Sequence, residues 1–588
     1  MSPSHIPPDS SAFPHLTTPT PHHTIPFRFL SFKYPLLPLL SEVAPVVFQV
    51  LALSLSLSLS LFLSVKEVMG EGGFISIVIL CILVVLWWGW KVLEWIWWKP
   101  KKLERLLQEQ GIKVTPYNLL FGDLKEFQRM FKEAQSKPMN LSHDIVPRVL
   151  PFHLQTIQKL GKNSAFWFGT NLKLYIMDPN LVRDIMSNKF GHFAKIKGIP
   201  LGRYFIGGLA TYEGEKWAKH RRIINPAFHL EKLKRMLSAF YTSSNEMVSK
   251  WEKLVTSEGS CELDVWPELQ YLTGDVISRA AFGSSYEEGI RIFKLQDEQA
   301  DLIIQSFRTP LIFVPGYSFL PTKKNKRIKE IDREVQAILM GIINKRQKAM
   351  KVAEANNDDL LGLLLESDNN EIQENKNKKN AGMTIEEVIQ ECKLFYFAGQ
   401  ETTSVLLVWT MIVLSMHSEW QARAREEVLQ VCGKNKPNLD GLSHLKIVTM
   451  ILYEVLRLYP PVLSLDRCTN KNIKLGEMSL PPGVQLMLPI ALLHHDHEVW
   501  GEDAEEFKPE RFAEGISKAT KNQVSFFPFG WGPRICIGQN FAITEAKMAL
   551  AMILQRFAFE LSPSYAHAPT TVITLHPQHG AQIILNRL

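Results

Sequence analysis

The sequence predicts a mainly α-helical fold with small β-sheets, preceded by one N-terminal transmembrane helix. Three observations carry this. Apolar residues recur at helical spacing through most of residues 101–588, runs that read as strands are few and short, and Phe74 to Trp90 is a charge-free apolar stretch.

The chain begins with a segment of different character. Residues 1–40 are rich in Pro, His, Ser and Thr without helical period, as expected of disorder. Val43 to Ser64 carries no charge, and its centre is a strict Leu-Ser alternation from Leu53 to Leu61. A CT dinucleotide repeat read in triplets produces that alternation. Residues 1–68 are therefore expected to be disordered or a translated leader, with Met69 as the natural start. The competing reading is a transit or signal segment, although the Arg-rich amphipathic pattern of a mitochondrial one is missing.

Residues 69–98 read as the membrane anchor. Lys91 and Glu94 interrupt the apolar run, but Trp95, Ile96, Trp97 and Trp98 continue it. A lysine can snorkel and tryptophans favour the interface. Lys99, Lys101, Lys102 and Arg105 follow the span while Glu71 precedes it, which puts the bulk of the chain on the cytosolic side. Lys99-Pro100 is expected to act as a stiff break before the body.

The body, 99–588, shows no clear linker and no internal repeat. Residues 232–255, 325–352, 384–416 and 418–432 have helical periodicity. Thr384 with Glu387 makes a capping box. The helix it opens is expected to be ~50 Å long at ~1.5 Å per residue. Its second half, Val405 to Leu414, is almost wholly apolar, so it should cross the interior. Asp368 to Gly382, full of Asn, Lys, Glu and Gln, is expected to be a mobile loop. Leu172–Ile176, Ile473–Leu480, Val484–Leu488 and Ile583–Leu585 read as strands.

Composition excludes several classes. The chain has 588 residues, 46% hydrophobic and 21% charged, so it can bury a large core. The net charge of +7 forms no stripe with interleaved aromatics, which argues against nucleic acid. The short basic run Lys323, Lys324, Lys326, Arg327 and Lys329 reads as a solvated helix face or a docking patch. Six cysteines (Cys81, Cys261, Cys392, Cys432, Cys468 and Cys536) contain no CxxC pair, which fits a reducing compartment.

One cysteine stands in a special setting. Phe526-Phe527-Pro528-Phe529-Gly530-Trp531-Gly532-Pro533-Arg534-Ile535-Cys536-Ile537-Gly538 leads directly into an Ala/Leu/Met-rich helical stretch. A helix N-terminus stabilises a thiolate through its amides and partial positive charge. Gly532 and Gly538 suit a tight turn and close backbone approach.

Elsewhere, Ala398-Gly399-Gln400-Glu401-Thr402-Thr403 puts a carboxylate and hydroxyls inside the long apolar helix, where they need partners. Taken alone this is a kinked helix with threonine bonded to its own turn. Glu454 and Arg457 lie at i, i+3 among apolar neighbours, Pro509-Glu510-Arg511-Phe512 follows, and Trp217 and Arg221 share a helix face.

The pattern Phe-x-x-Gly-x-Arg-x-Cys-x-Gly at Phe529, Gly532, Arg534, Cys536 and Gly538 resembles the haem-binding signature of cytochromes P450. The other motifs occur in that family's order. Longer strings, FYFAGQETTSVLLVWTM from Phe395 and FFPFGWGPRICIGQNFA from Phe526, look like the plant secologanin synthase-like branch.

The resemblance implies a cytochrome P450 fold holding haem b, with Cys536 as axial ligand to the iron and Phe529 shielding the sulfur. Arg534, Trp217, Arg221 and Arg467 would meet the propionates. Ala398 and Gly399 would leave room for dioxygen, Thr402 would hydrogen-bond it, and Glu401 would feed protons. Glu454, Arg457 and Arg511 would form a structural triad.

The function it implies is monooxygenation of a small lipophilic substrate, a terpenoid by branch, at the endoplasmic reticulum membrane. No GxGxxG follows a strand, so electrons would come from a separate NADPH-cytochrome P450 reductase. The alternatives are a haem-thiolate isomerase or dehydratase, against which Glu401-Thr402 argues, and a non-catalytic haem-binding protein. Lys195–Leu209, Val462–Leu465 and Thr570–His576 fall where the family lines its pocket.

Overall fold

The computed structural model describes residues 71–588 except 189–190, 197, 199, 256–258, 308, 353–358, 375–381 and 522. The expectations for residues 1–68 lie outside the described residues. The chain divides into two units, one ending at Trp90 and the other spanning Lys91–Leu588.

Helix α1 (Glu71–Leu93) carries the apolar run. Leu80, Val85 and Leu86 are each at least 60% exposed, so among the described residues nothing covers its apolar surface. Glu94–Trp98 forms a π-helical turn, and α2 (Lys99–Gln108) follows with its proline in the first turn. The expected break at Lys99-Pro100 is therefore absent. A proline here removes the amide that would bond the Ile96 carbonyl. That carbonyl instead accepts the Tyr117 hydroxyl at 2.7 Å, and the wide π turn admits the ring.

The body is a helical mass with small sheets. Its principal helices are α3 (Gly214–Ile224), α4 (Leu230–Leu254), α5 (Val265–Phe282), α6 (Tyr286–Ser306), α7 (Lys323–Lys351), α8 (Leu360–Glu374), α9 (Ile385–Met416), α10 (Ser418–Cys432), α11 (Lys446–Leu458) and α12 (Gln539–Leu554). The four helices expected from periodicity are α4, α7, α9 and α10. The segment expected to be a loop from Asp368 begins instead as the end of α8, which runs to Glu374. Glu and Gln lose little rotamer freedom in a helix, and a helix already nucleated by an apolar turn can run on through Asp and Asn, so polarity alone does not end it. The rest of that segment falls largely on residues outside the description.

The capping box of α9 is formed: the Glu387 amide donates to Thr384 Oγ1 and the Thr384 amide to Glu387 Oε2, both at 3.2 Å. From Glu391 to Leu414 the helix is buried except at three positions, considered below. It packs along α5, where the Thr273 hydroxyl donates to the Gln400 carbonyl at 2.9 Å. Arg327 of the basic run pairs with Glu298 at 2.6 Å across α7 and α6.

The largest sheet has six strands and is mixed; its strands include Ser164–Phe168, Asn171–Tyr175, Gln485–Leu488 and Leu465–Thr469. Antiparallel pairing of Arg467 with Leu486 sets where Arg467 projects. The run Ile473–Leu480 is a hairpin of two three-residue strands. A second hairpin, Pro569–Thr571 with Leu575–Pro577, is tied to α9 by Trp409 Nε1 donating to the Leu575 carbonyl at 2.9 Å.

Candidate active site

The cysteine loop turns on two glycines in the left-handed region, Gly530 (φ 71°) and Gly532 (φ 72°). A Cβ at Gly532 would also lie 2.5 Å from the Met186 carbonyl oxygen, so the turn and a close approach both require glycine there. Gly538 does not serve as expected. Its φ is −87°, and the nearest atom to an added Cβ would be Cys536 Sγ at 3.9 Å. It caps α12 and leaves space beside the sulfur. The Cys536 amide donates to the Phe529 carbonyl at 2.8 Å, which closes the loop just before the helix.

Cys536 is surrounded by protein closely enough that burial pushes its thiol up, yet the residue is accessible to solvent. Both hold when a side chain faces an internal cavity. The Gly538 backbone and the positive charge of Arg221 pull the thiol the other way. Arg221 is fixed by donating Nη1 to the Ile535 carbonyl at 2.9 Å, which joins α3 to the cysteine loop.

The three accessible positions on the buried stretch of α9 are Ala398, Gly399 and Thr402. They share one helix face, which is the partly accessible side of an otherwise buried stretch. Gly399 differs in part from expectation: a Cβ on it would lie 2.5 Å from Ile277 Cγ1, so its missing side chain serves packing against α5 rather than cavity space. Thr402 donates its hydroxyl to the Ala398 carbonyl at 2.9 Å, the back-bonded geometry open to threonine in a helix. Its oxygen lone pairs remain free to accept. Glu401 is on the flank of this face, buried, and its Oε1 accepts from His576 Nε2 and Thr574 Oγ1, each at 2.5 Å.

A cationic cluster is assembled from distant segments. Arg534 binds Glu213 at 2.5 Å, donates to the Tyr212 carbonyl at 3.0 Å, and lies 4.4 Å from the Trp217 ring centre. Trp217 thus supports Arg534 as well as sharing the α3 face with Arg221. Arg467 is buried, and burial with the field of Arg534 lowers its pKa. Lys195 is pulled down to about 7 by burial, Arg534 and Arg467. The sequence placed Lys195 only in a pocket-lining segment, because nothing local marks its approach to Arg534.

The triad residues sit in the core. Arg457 makes two hydrogen bonds to Glu454, at 2.7 and 2.8 Å, and Nη1 donates to the carbonyls of His494 and Ala504. Both side chains are fully buried. Arg511 is the looser member. Its Nε is 3.4 Å from Glu454 without a hydrogen bond, and its Nη2 is 2.8 Å from Asp503 Oδ1.

A sulfur donor in an internal cavity, a wall of small residues and a desolvated cluster of Lys195, Arg221, Arg467 and Arg534 fit a planar cofactor with a metal centre and two carboxylates. Such a cavity defines a haem enzyme. The chain belongs to the cytochrome P450 family, whose model matches residues 149–582. It is 62% identical over 496 residues to cytochrome P450 CYP72A616 of Paris polyphylla, covering 84% of this chain and 95% of that protein. It is 60% identical over 501 residues to cytochrome P450 72A397 of Kalopanax septemlobus, covering 85% and 96%. To cytochrome P450 72A15 of Arabidopsis thaliana it is 58% identical over 506 residues, covering 86% and 97%. These relatives agree with the plant branch read from the sequence. The protein is a cytochrome P450 monooxygenase, and its cofactor is haem b.

Proposed function

We propose that the chain is a membrane-anchored monooxygenase in which the Cys536 thiolate would hold the haem iron, acting on a lipophilic substrate of the terpenoid class with electrons from an NADPH-cytochrome P450 reductase. The observation that carries this reading is Cys536 itself, enclosed by protein yet open to an internal cavity and followed by a helix N-terminus.

Bound haem would supply the activation of dioxygen and the transfer of one oxygen atom to the substrate. The chain's residues prepare that chemistry. Arg534, Arg467, Arg221 and Lys195 would neutralise the propionates, and Trp217 holds Arg534 in place. Phe529 keeps water from the Cys536 sulfur, and the Gly538 amide stabilises its negative charge. Ala398 leaves room beside the cofactor, Thr402 offers lone pairs to a hydrogen-bonded water, and Glu401, a carboxylate at neutral pH, would relay protons to this face. Glu454, Arg457 and Arg511 keep the core behind the loop rigid.

An apolar cluster of Leu201, Phe205, Ala300, Ile303 and Phe397, with Ile573 packed on it, joins two of the three segments expected to line the pocket, Lys195–Leu209 and Thr570–His576. It suits a bulky hydrocarbon substrate. The uncovered apolar surface of α1 suits lipid, and the basic residues after it suit an anchor with the body on the cytosolic face of the endoplasmic reticulum. The domain reading places the anchor at 69–98 and the catalytic body at 99–588.

The test is expression in microsomes with a plant reductase, screened against a terpenoid panel by mass spectrometry. Oxygenated product that requires both NADPH and reductase is the expected result. Product formed from a hydroperoxide without NADPH would favour an isomerase or dehydratase instead.

A further inference from the structure

The central helix does not leave Glu401 free. Its carboxylate is buried, and Oε1 takes two short hydrogen bonds from one element, the hairpin Pro569–Pro577. His576 Nε2 also lies 2.8 Å from Thr574 Oγ1, which, with its own hydrogen given to Glu401, accepts from it, so the three groups form a closed triangle. The His576 ring lies 5.1 Å from that of Trp266 at the start of α5, which limits its tilt. Its side chain is 19% exposed against 6% for Glu401, so the histidine, not the carboxylate, is the member that meets solvent. Asp297 on α6 faces both Glu401 and His576, with Asp301 one turn further; Asp297 is accessible, yet burial and Glu401 raise it to about 7. Two acids and one imidazole thus converge beside the accessible face of α9.

We propose that His576 is a positioning residue for proton delivery: with Thr574 it clamps the Glu401 carboxylate beside Thr402 and ties that carboxylate's protonation to the hairpin. The clamp keeps Glu401 ionised at neutral pH, as its two hydrogen bonds and the His576 charge oppose the effect of burial. Loss of the imidazole would leave a buried carboxylate with one hydroxyl partner and Asp297 nearby. Its protonated form would then dominate, and its orientation would relax. Among the described residues, His576 and Thr574 are the side chains bonded to Glu401 Oε1. The same hairpin carries Ile573 into the apolar cluster. The site that holds the acid is therefore continuous with the wall proposed to meet substrate.

The proposal rests on the role given above to Glu401. It is tested with haem-loaded full-length protein and reductase, without added substrate, by following hydrogen peroxide released per NADPH consumed from pH 5.5 to 8.5. His576→Phe is expected to shift that ratio near pH 7 upward toward its ceiling of one peroxide per NADPH and to flatten its pH dependence, with an unchanged reduced carbon-monoxide spectrum. His576→Gln, which retains an N–H donor to the carboxylate, should return the ratio toward wild type. A second readout needs no turnover. The thermal midpoint of wild type should fall as pH drops through the carboxylate range, and His576→Phe should reduce that fall. A peroxide ratio and pH profile in His576→Phe equal to wild type would overturn the proposal. Glu401→Gln separates the two readings. If it too leaves the ratio unchanged, the role of Glu401 fails; if it alters the ratio while His576→Phe does not, only the clamp fails.

Discussion

Gly399 approaches Ile277 so closely that a methyl group on the glycine would sit 2.5 Å from Ile277 Cγ1. The contact lies where α5 crosses the middle of α9, beside the Thr273–Gln400 hydrogen bond. Helical glycine costs ~1 kcal/mol relative to alanine, so Gly399→Ala would gain that much if space allowed. Overpacking costs about 1–3 kcal/mol and here dominates. Gly399→Ala is expected to lower stability, and Ile277→Ala to relieve the crowding in the double variant. A double-mutant cycle by denaturant titration checks this; additive effects would show that the contact is not limiting.

Glu454 and Arg457 form the best-connected buried ion pair. Removing Glu454 leaves Arg457 charged and dry, at a cost of ~3–5 kcal/mol. Glu454→Ala is expected to abolish haem incorporation, read from the haem-to-protein absorbance ratio. Arg511→Lys should be milder, because Arg511 is 3.4 Å from Glu454 and leans on Asp503.

Cys536→Ala should eliminate the reduced carbon-monoxide Soret band characteristic of thiolate ligation. The loop is held by its backbone, including the Cys536 amide to the Phe529 carbonyl, so the apoprotein is expected to keep its helical circular dichroism. Persistence of the band would assign the ligand elsewhere.

Lys195 gives a pH prediction. Its pKa falls from 10.5 to about 7 on folding. Between those values the unfolded chain holds a proton that the folded protein has released, so stability rises with pH across that window. Below pH 7 both states are protonated and the slope vanishes. In haem-stripped protein the thermal midpoint should therefore carry this rising component from pH 7 upward, and Lys195→Met should remove it. Haem-loaded protein should show a smaller component, since propionates favour the charged amine.

Much of this protein was legible along the chain. The cysteine loop, the capping box of α9 and the apolar run of α1 are contiguous, and their chemistry depends on neighbours a few residues away. Periodicity located α4, α7, α9 and α10 because a buried face repeats every turn. The polar end of α8 reads as loop from its composition, although a helix nucleated by the apolar turn before it runs on to Glu374. Pro100 is misread too, because the acceptor freed by proline was taken by Tyr117, a residue outside the window.

The tertiary structure alone decided the long-range partners. His576 meets Glu401 from 175 positions away, and Lys195 reaches Arg534 across most of the body. It also decided which glycine bears the turn, moving that demand from Gly538 to Gly530. The sequence by itself determined the cysteine, the acid-threonine pair and the helices that carry them, since bonded order fixes spacing within a helix or loop. Which charges those groups face depends on how the helices pack, and that is set by burial summed over the whole chain rather than by any local motif.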